Sequence, residues 1–124
     1  MIHVLSSSDL DTIEMVATIL RFVGIELKFD PSSISVMALR VASSGSSYDI
    51  SLLTNLFQAK VYLERDRNVL KEPILRVQAK VRVRGECISV GKIVSIEEIP
   101  SEVINAFKAL GIRKSFYSPT EQGS

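Results

Sequence analysis

Residues 74–84 carry the most regular pattern in the chain. Leu75, Val77, Ala79, Val81 and Val83 alternate without a break with Arg76, Gln78, Lys80, Arg82 and Arg84. A period of two predicts a long strand with one face in a core and the other in water. Gly85-Glu86 then predicts a tight turn and Cys87 to Val90 a returning strand. Gly91 reads as a kink or bulge, and Ile93 to Ile99 continues the sheet.

Towards the N-terminus the period becomes helical. Leu10, Ile13, Val16, Ala17, Leu20 and Val23 form one stripe, and Met15, Ile19 and Phe22 widen it. Ser8 and Asp11 have capping-box spacing, and Asp9, Asp11 and Glu14 place negative charge where the helix dipole favours it. Gly24 is suited to end the helix, with Ile25 making the accompanying apolar contact. The prediction is a helix over 8–23, buried on more than one side. A second helix is predicted over 101–110, with Ser101 as N-cap, Val103, Ile104, Phe107 and Leu110 as its stripe, and Gly111 as its stop. The two helix ends look alike, but shared capping physics accounts for that without an internal repeat.

The remaining segments are shorter. Residues 2–5 read as a first strand. Ile25, Leu27 and Phe29 alternate with Glu26 and Lys28 and predict another. Asp30-Pro31-Ser32-Ser33 is a turn, and Ile34 to Val41 a strand that is apolar on both faces apart from Ser35 and Arg40. Ser43 to Ser47 reads as a flexible loop. Residues 48–58 stay open between a short helix, on Ile50, Leu53, Leu56 and Phe57, and a strand. Lys60 to Glu64 reads as extended, and Arg65 to Asn68 as a turn. The whole predicts one α+β domain over 1–117 with a polar tail over 118–124. Its curved antiparallel sheet has five to seven strands and two or three helices, with helices 8–23 and 101–110 on one face.

Composition narrows the chemistry. The chain has 124 residues, of which 46% are hydrophobic and 23% charged, which suits a globular domain. The longest uncharged stretch, Ile50 to Ala59, is too short to span a membrane as a helix. The N-terminus has neither the basic nor the long apolar segment of a signal peptide, and Cys87 is the only cysteine, so a cytoplasmic protein is expected. His3 is the only histidine. No zinc ligand set and no Ser-His-Asp or Cys-His arrangement is legible, so no metal is expected. Gly24, Gly45, Gly85, Gly91, Gly111 and Gly123 fit no phosphate-binding loop, and no cofactor is expected.

Four features could carry function. Arg76, Lys80, Arg82 and Arg84 share one strand face over about 27 Å and could track the phosphates of a nucleic acid. Residues 1–58 hold 3 basic and 6 acidic side chains, whereas 59–124 hold 12 and 8, which leans the same way. Against it, the strand has no aromatic for stacking, and Glu64, Glu86, Glu97 and Glu98 could neutralise it across strands. Asp11 and Glu14 share a helix face and could pair as carboxylates, although dipole stabilisation needs the same residues. Glu97 and Glu98, adjacent on a strand, point to opposite faces. The fourth feature is apolar surface beyond what so small a domain hides, which predicts a homodimer or a protein partner.

The run Ile96-Glu97-Glu98-Ile99-Pro100-Ser101-Glu102-Val103 resembles the end of hotdog-fold acyl thioesterases over about the last 45 residues. That resemblance implies a buried helix wrapped by a long-stranded sheet and a small-ligand pocket. The family's segment with Asp and His ahead of its helix has no counterpart here. Three readings result: a non-enzymatic binding or assembly protein, a nucleic-acid binder, and a thioesterase-like pocket protein.

Overall fold

A computed structural model of the chain describes residues 7–44, 47–67 and 73–112. The expected strand at 2–5 and the tail at 118–124 lie outside them. The elements are α1 (Ser7–Phe22), β1 (Val36–Ser44), β2 (Ser47–Thr54), β3 (Gln58–Arg67), β4 (Pro73–Val83), β5 (Glu86–Ser95) and α2 (Ser101–Ile112). Single 3-10 turns occupy Pro31–Ser33 and Ile96–Glu98. The strands form one antiparallel sheet in the order β1-β2-β3-β4-β5, flanked in sequence by the two helices. The architecture is α+β, and the five strands among the described residues are the lower end of the expected range.

One strand parity builds the core. Leu39, Ile50, Leu52, Ala59, Val61, Leu63, Leu75, Val77, Ala79 and Val81 are buried and join Ile13, Val16, Ile19 and Leu20 of α1 and Val103, Phe107 and Leu110 of α2 in one cluster. The nearly all-round apolar surface of α1 is explained by its neighbours, because α1 meets both α2 and β3. α1 ends in a Schellman arrangement. Gly24 sits at φ +94, the Ile25 amide donates to the Leu20 carbonyl at 2.8 Å, and the Gly24 amide donates to Arg21 at 3.0 Å.

Several expectations are corrected. Residues 25–29 pair with no strand among the described residues, and their alternation reflects Ile25, Leu27 and Phe29 turned to the core, where Phe29 stacks on Phe57 at 5.7 Å. The choice left open at 48–58 falls to strand, with β2, a turn at 55–57 and the start of β3. Thr54 makes that turn possible while buried. Its hydroxyl accepts from the amides of Phe57 and Leu56 and donates to the Phe57 carbonyl. Asn55 fastens the turn to the preceding segment, accepting from the Ser35 amide and donating to the Ser33 carbonyl. Of the serine-rich stretch expected as a loop, Ser43, Ser44 and Ser47 belong to strands, and β1 and β2 pair as far as Ser44 opposite Ser47. Pro100 rather than Ser101 caps α2, since its carbonyl accepts from Val103 and Ile104.

Two glycines also act differently from expectation. Gly91 makes no bulge, because β4 and β5 stay in register from Ile74 opposite Ser95 to Val83 opposite Glu86. Gly111 does not stop α2, which runs on to Ile112. Its lack of a side chain admits Tyr48, whose ring edge lies 3.0 Å from where a Cβ would be.

Candidate nucleic-acid interface

The sheet parity opposite the core carries polar and charged side chains. Register arranges them in rows across the strands, because directly opposed residues of antiparallel neighbours project to the same side. One row reads Arg40–Ser51–Lys60–Lys80–Ser89. The next rows are Ala38–Leu53–Gln58–Arg82–Cys87 on one side and Ala42–Asp49–Tyr62–Gln78–Gly91 on the other. Arg40, Lys60, Lys80 and Arg82 are exposed, and among the described residues none of the four is ion-paired. Lys60 and Lys80 stand directly opposite each other, a like-charge arrangement that costs the sheet stability.

The four residues singled out on β4 therefore divide. Lys80 and Arg82 belong to the basic patch. Arg76 lies two rows away in Ser47–Glu64–Arg76–Ile93, and its guanidinium meets Glu64 at 3.7 Å. That is the cross-strand neutralisation anticipated for this face, confined to one end of it. Arg84 is not on the strand. With Gly85 it forms the two-residue turn between β4 and β5, at φ 51 and φ 85, the signature of a type I′ turn. Arg40 and Lys60 escaped sequence reasoning. Each sits at an outward position, but only the β1–β2–β3 register brings them beside Lys80.

The surface is shaped as well as charged. Gln78 packs closely over Gly91, its Cγ 3.2 Å from where a Cβ would be, and a depression of about 590 Å³ opens beside them between Lys60, Tyr62, Gln78, Lys80 and Asp49. A smaller one of about 190 Å³ is bounded by Gln58, Lys60, Lys80 and Arg82. Tyr62 supplies the aromatic that β4 itself lacks. Its hydroxyl donates to Glu64 Oε2 at 2.9 Å. That hydrogen bond, then desolvation, then the negative charges of Glu64 and Asp49 push the phenol above its usual 10.0, with Arg76 opposing. Asp49 is the acidic member of the patch, diagonal to Lys60.

The other acidic candidates lie elsewhere. Asp11 and Glu14 are exposed on α1 and line a groove with Glu102 of α2. Glu97 and Glu98 fall in the 3-10 turn after β5, where the Glu98 carboxylate accepts from the Ser95 amide at 3.4 Å. Among the described residues no group of three His, Cys, Asp or Glu could hold a metal ion, and no helix is long and apolar enough to cross a membrane. The sequence matches no protein-family model, and comparison with curated proteins and with solved structures finds no match.

Proposed function

We propose that this is a small non-enzymatic binding protein whose exposed sheet face holds single-stranded nucleic acid. In this reading the two helices close the other face of a curved sheet, leaving the basic one for the ligand. The observation that carries it is the row Arg40–Lys60–Lys80, reinforced by Arg82 and crossed by no paired carboxylate. From β1 to β4 the row spans about 14 Å at the usual interstrand spacing. That matches about four nucleotides of a stacked helical strand, which advances about 3.4 Å per phosphate along its axis. Holding like charges opposite each other lowers stability, and an anion bound between them recovers that loss. Tyr62, one row away, offers a π-face for a base, a contact worth about 1–3 kcal/mol in single-strand binders. The lone exposed thiol of Cys87 suits a reducing compartment such as the cytoplasm.

The test is a fluorescence-anisotropy titration with a labelled single-stranded oligonucleotide across a salt series. Three or four phosphate contacts give a log–log salt slope of about −2 to −3. Lys60→Glu and Lys80→Glu should each weaken binding at least tenfold. Arg76→Gln and Arg84→Gln should change it little. Equal losses at all four positions, or none at Lys60 and Lys80, would refute the assignment.

A further inference from the structure

The two edges of the sheet are not alike. β1 is broken by an extra residue at Met37, which shifts its register between Val36 and Ala38, and it carries Arg40. Bulges and edge cations are devices that keep a sheet edge from pairing with another chain. β5 has neither. It is ten residues long with unbroken register, contains no proline, and carries charge only at Glu86 and Lys92. Among the described residues it pairs only with β4. Two of its apolar side chains are open to solvent, Ile88 at 50% and Ile93 at 62% exposure. The other exposed large apolar side chains among the described residues are Ile96, just after β5, Met37 of β1 and Leu53 of β2.

We infer that β5 pairs antiparallel with β5 of a second copy of this chain, about a two-fold axis at Ser89, making one ten-stranded sheet. A two-fold pairing must set residues of equal parity opposite each other to keep like faces together. Among such registers, the one centred on Ser89 places Glu86 opposite Lys92 of the second copy, twice, and Ile88 opposite Val90, twice. Centring on Val90 instead would oppose Glu86 with Val94 and leave both charges without a counterpart. Glu86, Ile88, Val90 and Lys92 all share the core-side parity, opposite Val83, Val81, Ala79 and Val77. The Lys92 ammonium already lies on that side, 4.9 Å from the Phe22 ring centroid.

The same register has a consequence for the basic row. Ser89 is the β5 member of the basic row, opposite Lys80. With Ser89 facing Ser89, the two rows become collinear. The sheet then presents Arg40, Lys60 and Lys80 of both copies along one line of about 43 Å across ten strands. The pairing stands on β5 alone. The doubled binding line rests on the nucleic-acid reading above.

Analytical ultracentrifugation and cysteine cross-linking test the two parts separately. The free chain should sediment as a dimer at high micromolar concentration. Glu86→Lys or Lys92→Glu, both at exposed positions, should weaken the dimer about tenfold, and the double exchange should restore it. In a Cys87→Ser background, Ser89→Cys should cross-link the two copies on mild oxidation, whereas Val90→Cys and Gly91→Cys should not. A monomer at all concentrations, or cross-linking through position 90 or 91 in place of 89, overturns the pairing. If the dimer stands but the monomeric Lys92→Glu variant keeps the wild-type salt slope for a long oligonucleotide, the continuous binding line is wrong while the interface survives. If no variant binds nucleic acid, the binding reading falls and the dimer is judged by its own data.

Discussion

Arg84 occupies a backbone position that favours glycine, asparagine or aspartate, since φ 51 brings its Cβ against the following carbonyl. Arg84→Asn should therefore stabilise the fold by about 0.5–1 kcal/mol, read as a higher denaturation midpoint with unchanged slope. The same substitution should leave nucleic-acid affinity nearly unchanged, because Arg84 belongs to the turn. Tyr62 gives a pH-dependent counterpart. Its phenol is raised above 10.0 in the folded chain, so the neutral form is favoured by folding. That contribution is complete below 10.0 and is lost as pH rises through the folded value. Glu64→Ala removes the first cause, and ultraviolet titration should show one phenol ionising at lower pH than in the parent. An unchanged curve would mean that the Glu64 hydrogen bond is not made in solution.

Among the elements, α2 illustrates how a residue with a familiar role can be used for another. Glycine is a poor helix former, yet Gly111 keeps helical backbone in the last turn of α2. The compensation is packing: Tyr48 of β2 approaches the bare Cα, and its ring also tilts against Phe107 at 6.1 Å. Gly111→Leu should cost about 1–3 kcal/mol through overpacking. In a Tyr48→Ala background the same substitution should cost little or become favourable, and a thermal-denaturation double-mutant cycle measures the difference. Additive effects would show that the contact is not what holds a glycine there. The periodicities of α1, α2 and β4 were legible because each depends only on local geometry. The strand expected at 25–29 fails because alternation marks which side chains point inward without supplying a pairing partner, while 48–58 stayed open for a different reason. An apolar pair such as Leu52 and Leu53 serves a strand or a helix equally well, and only pairing with β1 and β3 decides between them.

For the whole molecule, stability and binding pull in opposite directions on the exposed face. Lys60→Glu places an acid opposite Lys80, turning a repulsive cross-strand pair into an attractive one. It should raise folding stability by about 0.5–1 kcal/mol while abolishing most oligonucleotide binding. A surface evolved only for solubility would gain stability from this change without losing any interaction. The direction of each effect is read from paired urea and anisotropy titrations on one variant.

Local pattern alone determined which side chains of each long segment lie in the core and which in water, because parity is set by a backbone repeat of 2 or 3.6 residues. It thereby settled the α+β class, the two helices and the outward direction of Lys80 and Arg82. It could not determine that Arg40 and Lys60 stand in line with Lys80, that Arg76 is matched by Glu64, or that β5 is left as an edge. Those depend on register and strand order. Both are fixed by where the Thr54 turn and the Arg84-Gly85 turn reverse the chain, and by which strands the core can cover, so they exist only once the whole sheet has formed.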